Sequence, residues 1–454
     1  MTPDFPSIAA LRLGYGFAPH AAAPGDLAAV MASVTEAARP DQWTTQAAAD
    51  AQIQLAESRK ALNAKEIAQE DYRRVAQGLN ARRLEVLQRR VARALDAPCG
   101  FGERLVQFWS DHFTTVAQNP PQYLMAGAFV DEAIRPHLNG RFGDMLFASS
   151  THPMMLVYLN QNTSFGPNSR YVKARPEKRL GLNENLGREI LELHTLGVGA
   201  EYTQTDVREL AELLTGLSFN IRDPQRFRVQ AAEPGADTVL GTSYGGPGTD
   251  GMAEIARVMG DLAVHPATAS HIARKLAQHF AADDPPPALV EDLAATWRGT
   301  GGDLAQVHAV LAAHPALAAT FRQKARQPFD FLIAALRSLG VTGEQVLAME
   351  PSRVNQVMWG PLTLMGQTFG RARGPDGWPE LAADWITPQT LSARIAWALR
   401  QPERLVDPLP DPRDFLVTAL GGTASEALAT AVPRAESVRE GVAIVLASTD
   451  FNRR

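Results

Sequence analysis

Apolar residues recur at three- and four-residue spacing through most of this chain. That repeat, by which a helix turns one face to a core, narrows the possible folds more than any other feature. From Asp41 to Leu95 the residues are mainly Ala, Gln, Glu, Lys, Arg and Leu, all good helix formers. Within that run "RRLEVLQRRVARAL" interleaves apolar and basic positions; with acidic residues just upstream it reads as a solvated helix face, with a surface for an acidic partner as the alternative. In "FGERLVQFWSDHFTTV", Leu105, Phe108, Trp109 and His112 share one stripe, so His112 points where the apolar side chains point. His-Pro opens an apolar helix at His152, His265 and His314. Proline suits a first helical turn, and the residue before it is held outside the helical region, where a cap belongs. The pattern breaks at "RFRVQAAEPGADTVLGTSYGG", whose short β-prone runs flank a Pro-Gly turn. The expectation is a mainly α, large multi-helical globular fold with one small β-hairpin near 226–245. Three regions are expected: 1–98 with long charged helices, a core over 99–400 carrying a polar site and the hairpin, and a helical tail over 401–454 packed on that core.

Bulk numbers bound the function classes. The chain has 454 residues, is 45% hydrophobic and 20% charged, and carries a net charge of -5, the profile of a soluble globular protein. A dedicated nucleic-acid binder would show a basic excess, so no nucleic acid is expected. No apolar run reaches the roughly 20 residues needed to span a bilayer, so no membrane is expected either. The N-terminus lacks a basic region ahead of an apolar stretch, which gives the cytoplasm as default compartment, with periplasmic co-export beside a signal-bearing partner as the alternative. Cys99, the single cysteine, excludes an internal disulfide and a cysteine-rich zinc site.

The stretch with most chemical content is "NENLGREILELHTLG". On a helix, Asn185, Arg188, Glu189 and Glu192 occupy one sector, beside an apolar sector of Leu182, Leu186, Ile190 and Leu193. Two carboxylates three residues apart repel. Burial worsens that repulsion unless Arg188 or a metal compensates. Paired inward carboxylates on helices build di-metal bundles, while the competing reading is a surface salt-bridge stripe. His194 lies about half a turn from Glu192 and joins the same ion only if the helix ends there; Gly197 supplies such an end. Tyr202, just before the cap of "TQTDVREL", closes over a pocket or packs as a hydrophobic staple. His112 and His152 read as ligands or bases, or as a core histidine and a cap. Asn160 belongs to a polar loop, and Arg170, Lys173, Arg175, Lys178 and Arg179 to one that gates an anion or is simply solvated. The expected roles are Glu189 as general base with Arg188, His112 and Tyr202 catalytic. His112, His152, Glu189, Glu192 and His194 are the expected ligands of a divalent Zn, Mn or Fe, and Asn160, Asn183 and Asn185 would bind substrate. No glycine-x-serine-x-glycine elbow, phosphate loop or dinucleotide fingerprint is present.

"FWSDHFT", "HPMMLVYLNQN", "NENLGREILELHTLGVGAEYTQTDVRELAELLTG", "HPATASHIARKLAQHF" and "GWP" occur in that order, and over about Leu11 to Arg400 the chain resembles the bacterial Domain of Unknown Function 1800 family. The resemblance implies a large, mainly helical bacterial protein. It also implies a neighbour from a second family, Domain of Unknown Function 1501, whose members look like sulfatases or alkaline phosphatases and often carry export signals. Many members carry a His-Asp pair and a lysine in the hairpin, where this chain reads "AAEPGADT", and an aromatic after "NEN", where it has Leu186 and Gly187. Members frequently have signal peptides, and none is expected here. Three functions are expected: an enzyme with a buried His/Glu/Arg site, a metal-dependent hydrolase or oxidoreductase; a non-catalytic helical partner of a phosphatase- or sulfatase-like protein; and, from a loose likeness of "QFWSDHF", "RE" and "ELH" to animal-type haem peroxidases, a haem protein.

Overall fold

Three helices begin where the His-Pro pairs predict, and the histidine side chain does the capping. In this computed structural model, which describes residues 3–222 and 227–454, the Nδ1 atoms of His152, His265 and His314 accept from the backbone N–H groups of Met154 (3.0 Å), Ala267 (3.2 Å) and Ala316 (3.1 Å). Each proline supplies a first-turn position that needs no N–H partner. The described residues are mainly helical, with a single two-stranded sheet among them.

The charged N-terminal run folds as α1 (Thr45–Asn63) and α2 (Gln69–Asp96), packed together and against α4 (Pro120–Phe129). Thr44 caps α1 through its hydroxyl, and α2 buries Leu84, Leu87, Val91 and Leu95. The basic run does not form a solvated face, contrary to its sequence reading. Arg83 lies over the Trp359 ring at 4.4 Å, Arg93 pairs with Glu103 at 3.2 Å, and Arg90 donates to Gln107 at 3.0 Å. The next helix, α3 (Phe101–His112), brings acceptors to Arg90 and Arg93.

The hairpin comprises β1 (Ala236–Val239) and β2 (Thr242–Gly245), antiparallel with Val239 opposite Thr242. Its turn is Leu240-Gly241, both at positive φ (47° and 79°) as a tight two-residue loop requires. The expected Pro234-Gly235 turn instead precedes β1, because strand pairing starts only at Ala236. Arg226, within the anticipated hairpin span, lies outside the described residues. The hairpin rests on α6 (Gln204–Leu213), whose Asp206 and Glu209 accept from the N–H groups of Leu240 and Thr238, both at 2.8 Å.

Apolar side chains from Ile8 to Phe451 form one continuous core, so the three regions marked in the sequence share an interior. Its centre holds Phe101, Leu105, Trp109, Phe142 and Trp297, with α7 (Pro266–Phe280) laying Phe280 across Phe101. No described helix is long and apolar enough to cross a membrane.

Candidate functional site

The polar stripe folds as α5 (Asn185–Glu189), which widens without a break into a π-helical turn over Ile190–His194. Leu186, Ile190 and Leu191 are buried, and Gly187 is pressed against the next helix: a Cβ there would stand 3.1 Å from the Ala211 nitrogen. The polar sector is half-buried and largely satisfied within itself. Arg188 bridges Glu184 and Glu192, both at 3.2 Å, and donates to Gln204 at 3.1 Å. Its side chain is 37% exposed, so these pairs are the weak, solvent-screened kind. Tyr202 bonds to Glu192, which raises its phenol after burial does. Glu189 is half-buried, and its carboxyl is raised by burial and by Glu192 while Arg188 opposes. Asp376 and Tyr158 interact with it electrostatically.

A π turn changes which groups the helix end presents. At its end the carbonyls of Leu193 and His194 have no helical partner. Imidazoles from two other helices take them: His271 Nε2 is 3.3 Å from the Leu193 oxygen, and His112 Nε2 is 3.2 Å from the His194 oxygen. The chain then reverses at Gly197 (φ 95°), where a Cβ would lie 2.8 Å from His271 Nδ1. The helix end anticipated from Gly197 is therefore present.

His112 occupies an aromatic box of Phe108, Trp109, Phe113 and Phe142, with ring centroids 4.6 to 6.3 Å away. Its second nitrogen, Nδ1, is 3.1 Å from Lys275 Nζ. The two contacts fix the tautomer: Nε2–H donates to the carbonyl, and the Nδ1 lone pair accepts from the amine. Burial holds His112 well below the usual imidazole range, followed by the charge of Lys275. The same causes, burial first, bring His194 to about 3 and His271 to about 4. Three imidazoles thus stand neutral around one lysine.

Lys275 itself is partly exposed. Burial lowers its amine, while Asp111, Glu380 and Asp376 resist. Asp111, one residue before His112, moves the other way: burial raises it and Glu380 adds to the rise. Both its oxygens accept from the Trp378 N–H at 3.1 Å. That loop can approach because residue 377 is glycine at φ 87°; a Cβ would come within 2.9 Å of the Asp111 carboxylate. Deeper in, His279 Nδ1 donates to Glu380 at 2.7 Å, and Lys324 lies 3.1 Å from Glu380 and 3.0 Å from Asp283. Burial alone would raise Glu380, but His279 and Lys324 hold it well below the carboxylate range.

The structure therefore gathers His112 and His194 near Lys275, with Glu189 at the rim beside Asp376. It does not gather the rest. His152 belongs to another network, 3.1 Å from Glu132 and 3.2 Å from Thr45. Asn183 is committed to backbone, donating to the Leu159 and Asn160 oxygens and accepting from Asn185 N–H; Asn160 and Asn185 are exposed. Of the basic loop, Arg175 stacks on Tyr171 at 4.0 Å and Arg170, Lys173, Lys178 and Arg179 are exposed. The five anticipated metal ligands do not form one set, and among the described residues no group of three or more His, Cys, Asp or Glu is placed to hold a metal. With both ring nitrogens of His112 engaged, none is left for a metal or haem iron in this arrangement.

Sequence reasoning missed Asp111, His271, Lys275, Asp376, Trp378 and Glu380. One signal was available: in "HIARKLAQH", His271, Lys275 and His279 recur every four residues and so share one face of α7. The family model described as protein of unknown function (DUF1800) matches residues 8–453. No curated protein and no solved structure matches the chain.

Proposed function

The chain belongs to the DUF1800 family, and from that premise we propose that it is an enzyme whose proton transfers run through Lys275, His112 and Asp111. The observation that carries this reading is the 3.1 Å contact between Lys275 and His112, enclosed by neutral imidazoles and set beside Asp111. Burial raises the acid and lowers the amine, so the two shift toward each other. A pair so matched suits hydrolase-type chemistry, the amine accepting a proton and the carboxyl returning one. Glu189, half-buried with its carboxyl raised, stands as a second acid at the rim. Arg188 is engaged by Glu184 and Glu192, so it steadies the stripe and does not act on substrate.

The test needs no substrate. Acetylation of each lysine is followed by mass spectrometry across pH, and the midpoint of each rate profile is read, which is insensitive to how accessible the amine is. The midpoint for Lys275 falls below those of the exposed Lys60, Lys65, Lys173 and Lys178, and Asp111→Asn moves it lower still. A Lys275 midpoint equal to theirs removes the acid–base centre.

One observation favours a second reading: His112 and His271 each commit a nitrogen to capping the π turn. On that reading the network fixes helix register in a non-catalytic helical partner, of the phosphatase-like neighbour that the family resemblance implies. Lys275→Met then lowers the melting temperature as much as His112→Gln does, and the lysine midpoint is ordinary.

A further inference from the structure

Between α2, α3, α4 and the loop that carries Trp378 lies a cavity of about 110 Å³. Its wall is mostly apolar and aromatic, with Trp43, Tyr123, Phe129, Phe329 and Leu362 contributing. Asp111 and Trp378 belong to the same wall, so the cavity abuts the site described above. Concave, largely apolar space with a few convergent polar groups is the usual form of a small-molecule site.

The polar groups on this wall are unequal. Arg89 is held by Glu85 and Asp41, Arg93 by Glu103, and Arg135 by Glu103 and Asp131. Arg371 is exposed at the edge, bonded to the Tyr123 hydroxyl and the Gln118 carbonyl. Arg90 is half-buried and forms no ion pair among the described residues; the one side chain that accepts from it is the neutral amide of Gln107. A guanidinium facing apolar space with its fork only partly used is matched by a carboxylate, which accepts two parallel N–H bonds.

We propose that this cavity binds a small monocarboxylate with a compact apolar body, the carboxylate on Arg90 and the body among Trp43, Tyr123, Phe129, Phe329 and Leu362. At about 110 Å³ the space admits one ring at most, since benzene occupies a dry apolar cavity of about 150 Å³. Gln107 and Asp111 are four residues apart on α3, hence on one face about 6 Å along the axis, so the bound acid lies one turn from the carboxyl of Asp111. The proposal rests on the reading of Asp111 and Lys275 only for the chemistry after binding; binding itself needs Arg90 and the apolar wall.

Benzoate and the neutral, nearly isosteric benzamide are titrated into the full chain by calorimetry. Benzoate binds and benzamide does not; Arg90→Met weakens benzoate by about ten- to a hundredfold, the worth of a charge-assisted hydrogen bond. Leu362→Trp, which keeps the cation and fills the cavity, abolishes binding and guards against misfolding of the arginine variant. Lys275→Gln leaves binding within about twofold, because Lys275 is not on the cavity wall. The proposal is overturned if no benzoate binds, if benzamide binds as well, or if Arg90→Met binds benzoate as tightly as the parent. Loss in Lys275→Gln with retention in Arg90→Met also overturns it, placing the anion at the lysine and leaving the acid–base reading intact.

Discussion

Two regions of this molecule concentrate charge in the interior, and they use it differently. Around Asp330, on α8 (Pro328–Ser338), lie Arg12, Arg104, Arg326, Arg394 and Arg454, each at most 1% exposed. Arg454 pairs with Asp330, and the other four form no ion pair among the described residues. Their guanidinium groups end largely on backbone oxygens: Arg12 on Arg454 and Ala281, Arg104 on Arg12 and Leu13, Arg326 on Phe451, Arg394 on Arg326. Around Lys275 the cation ends instead on the side chain of His112, and Lys275 and Asp111 keep partial access to solvent. A buried cation that terminates on carbonyls ties distant segments together. One that terminates on a titratable side chain beside an opening has a proton to exchange.

Removing the central carboxylate should separate the two regions most sharply. Asp330 is held below the carboxylate range because Arg454 and Arg104 outweigh its burial. Asp330→Asn leaves those cations uncompensated and costs about 3–5 kcal/mol, the usual result of breaking one side of a buried pair. Lys275→Met, which fills similar space but leaves the buried His112 Nδ1 without its donor, costs about 1–3 kcal/mol. Urea unfolding of both variants checks the contrast; equal losses would mean that Lys275 is also a structural tie.

Acid sharpens the comparison next. His194 at about 3 and His271 at about 4 bind protons in the folded state far less readily than in the unfolded chain, where imidazole titrates near 6.5. Below about pH 6.5 the unfolded state therefore takes up more protons, and stability falls as pH drops toward 4, by at most about 1.4 kcal/mol per pH unit for each histidine. Asp330 and Glu380 have lowered folded values, so their contribution is lost only at more acidic pH. His194→Gln reduces the slope of a stability-against-pH curve from about pH 6.5 down to about 3 and leaves the limb below that unchanged. A curve that His194→Gln does not alter would mean this imidazole is protonated in the folded protein.

These differences explain what could be read from residues alone. Helix formers, the His-Pro caps and the stripe holding His112 are local signals, and each appears where expected. So does the hairpin, although its turn falls at Leu240-Gly241 instead of Pro234-Gly235, because pairing register outweighs a single turn dipeptide. Lys275 meets His112 across 163 residues and Arg12 meets Arg454 across 442, and no periodicity reports such contacts. The π turn adds a second obstacle, since spacing rules assume a regular helix and the carbonyls of Leu193 and His194 are freed only where that regularity stops.

Arg188 gives the smallest effect and the closest check on the stripe. The sequence reads Arg188 as the cation that compensates Glu189 and Glu192 on a buried face. It is instead more than a third exposed, and its two pairs run along one helix face to residues four away on either side. Pairs of that geometry contribute about 0.3–0.5 kcal/mol each, so Arg188→Ala costs less than about 1 kcal/mol. Its electrostatic effect reaches the rim: Arg188 opposes the rise of Glu189, so its removal raises that carboxyl further, while the Lys275 acetylation midpoint, for which Arg188 is not among the causes, stays put. A shift of the lysine midpoint in Arg188→Ala would join the stripe to the acid–base centre as one coupled unit, and the division between rim and centre would have to be redrawn.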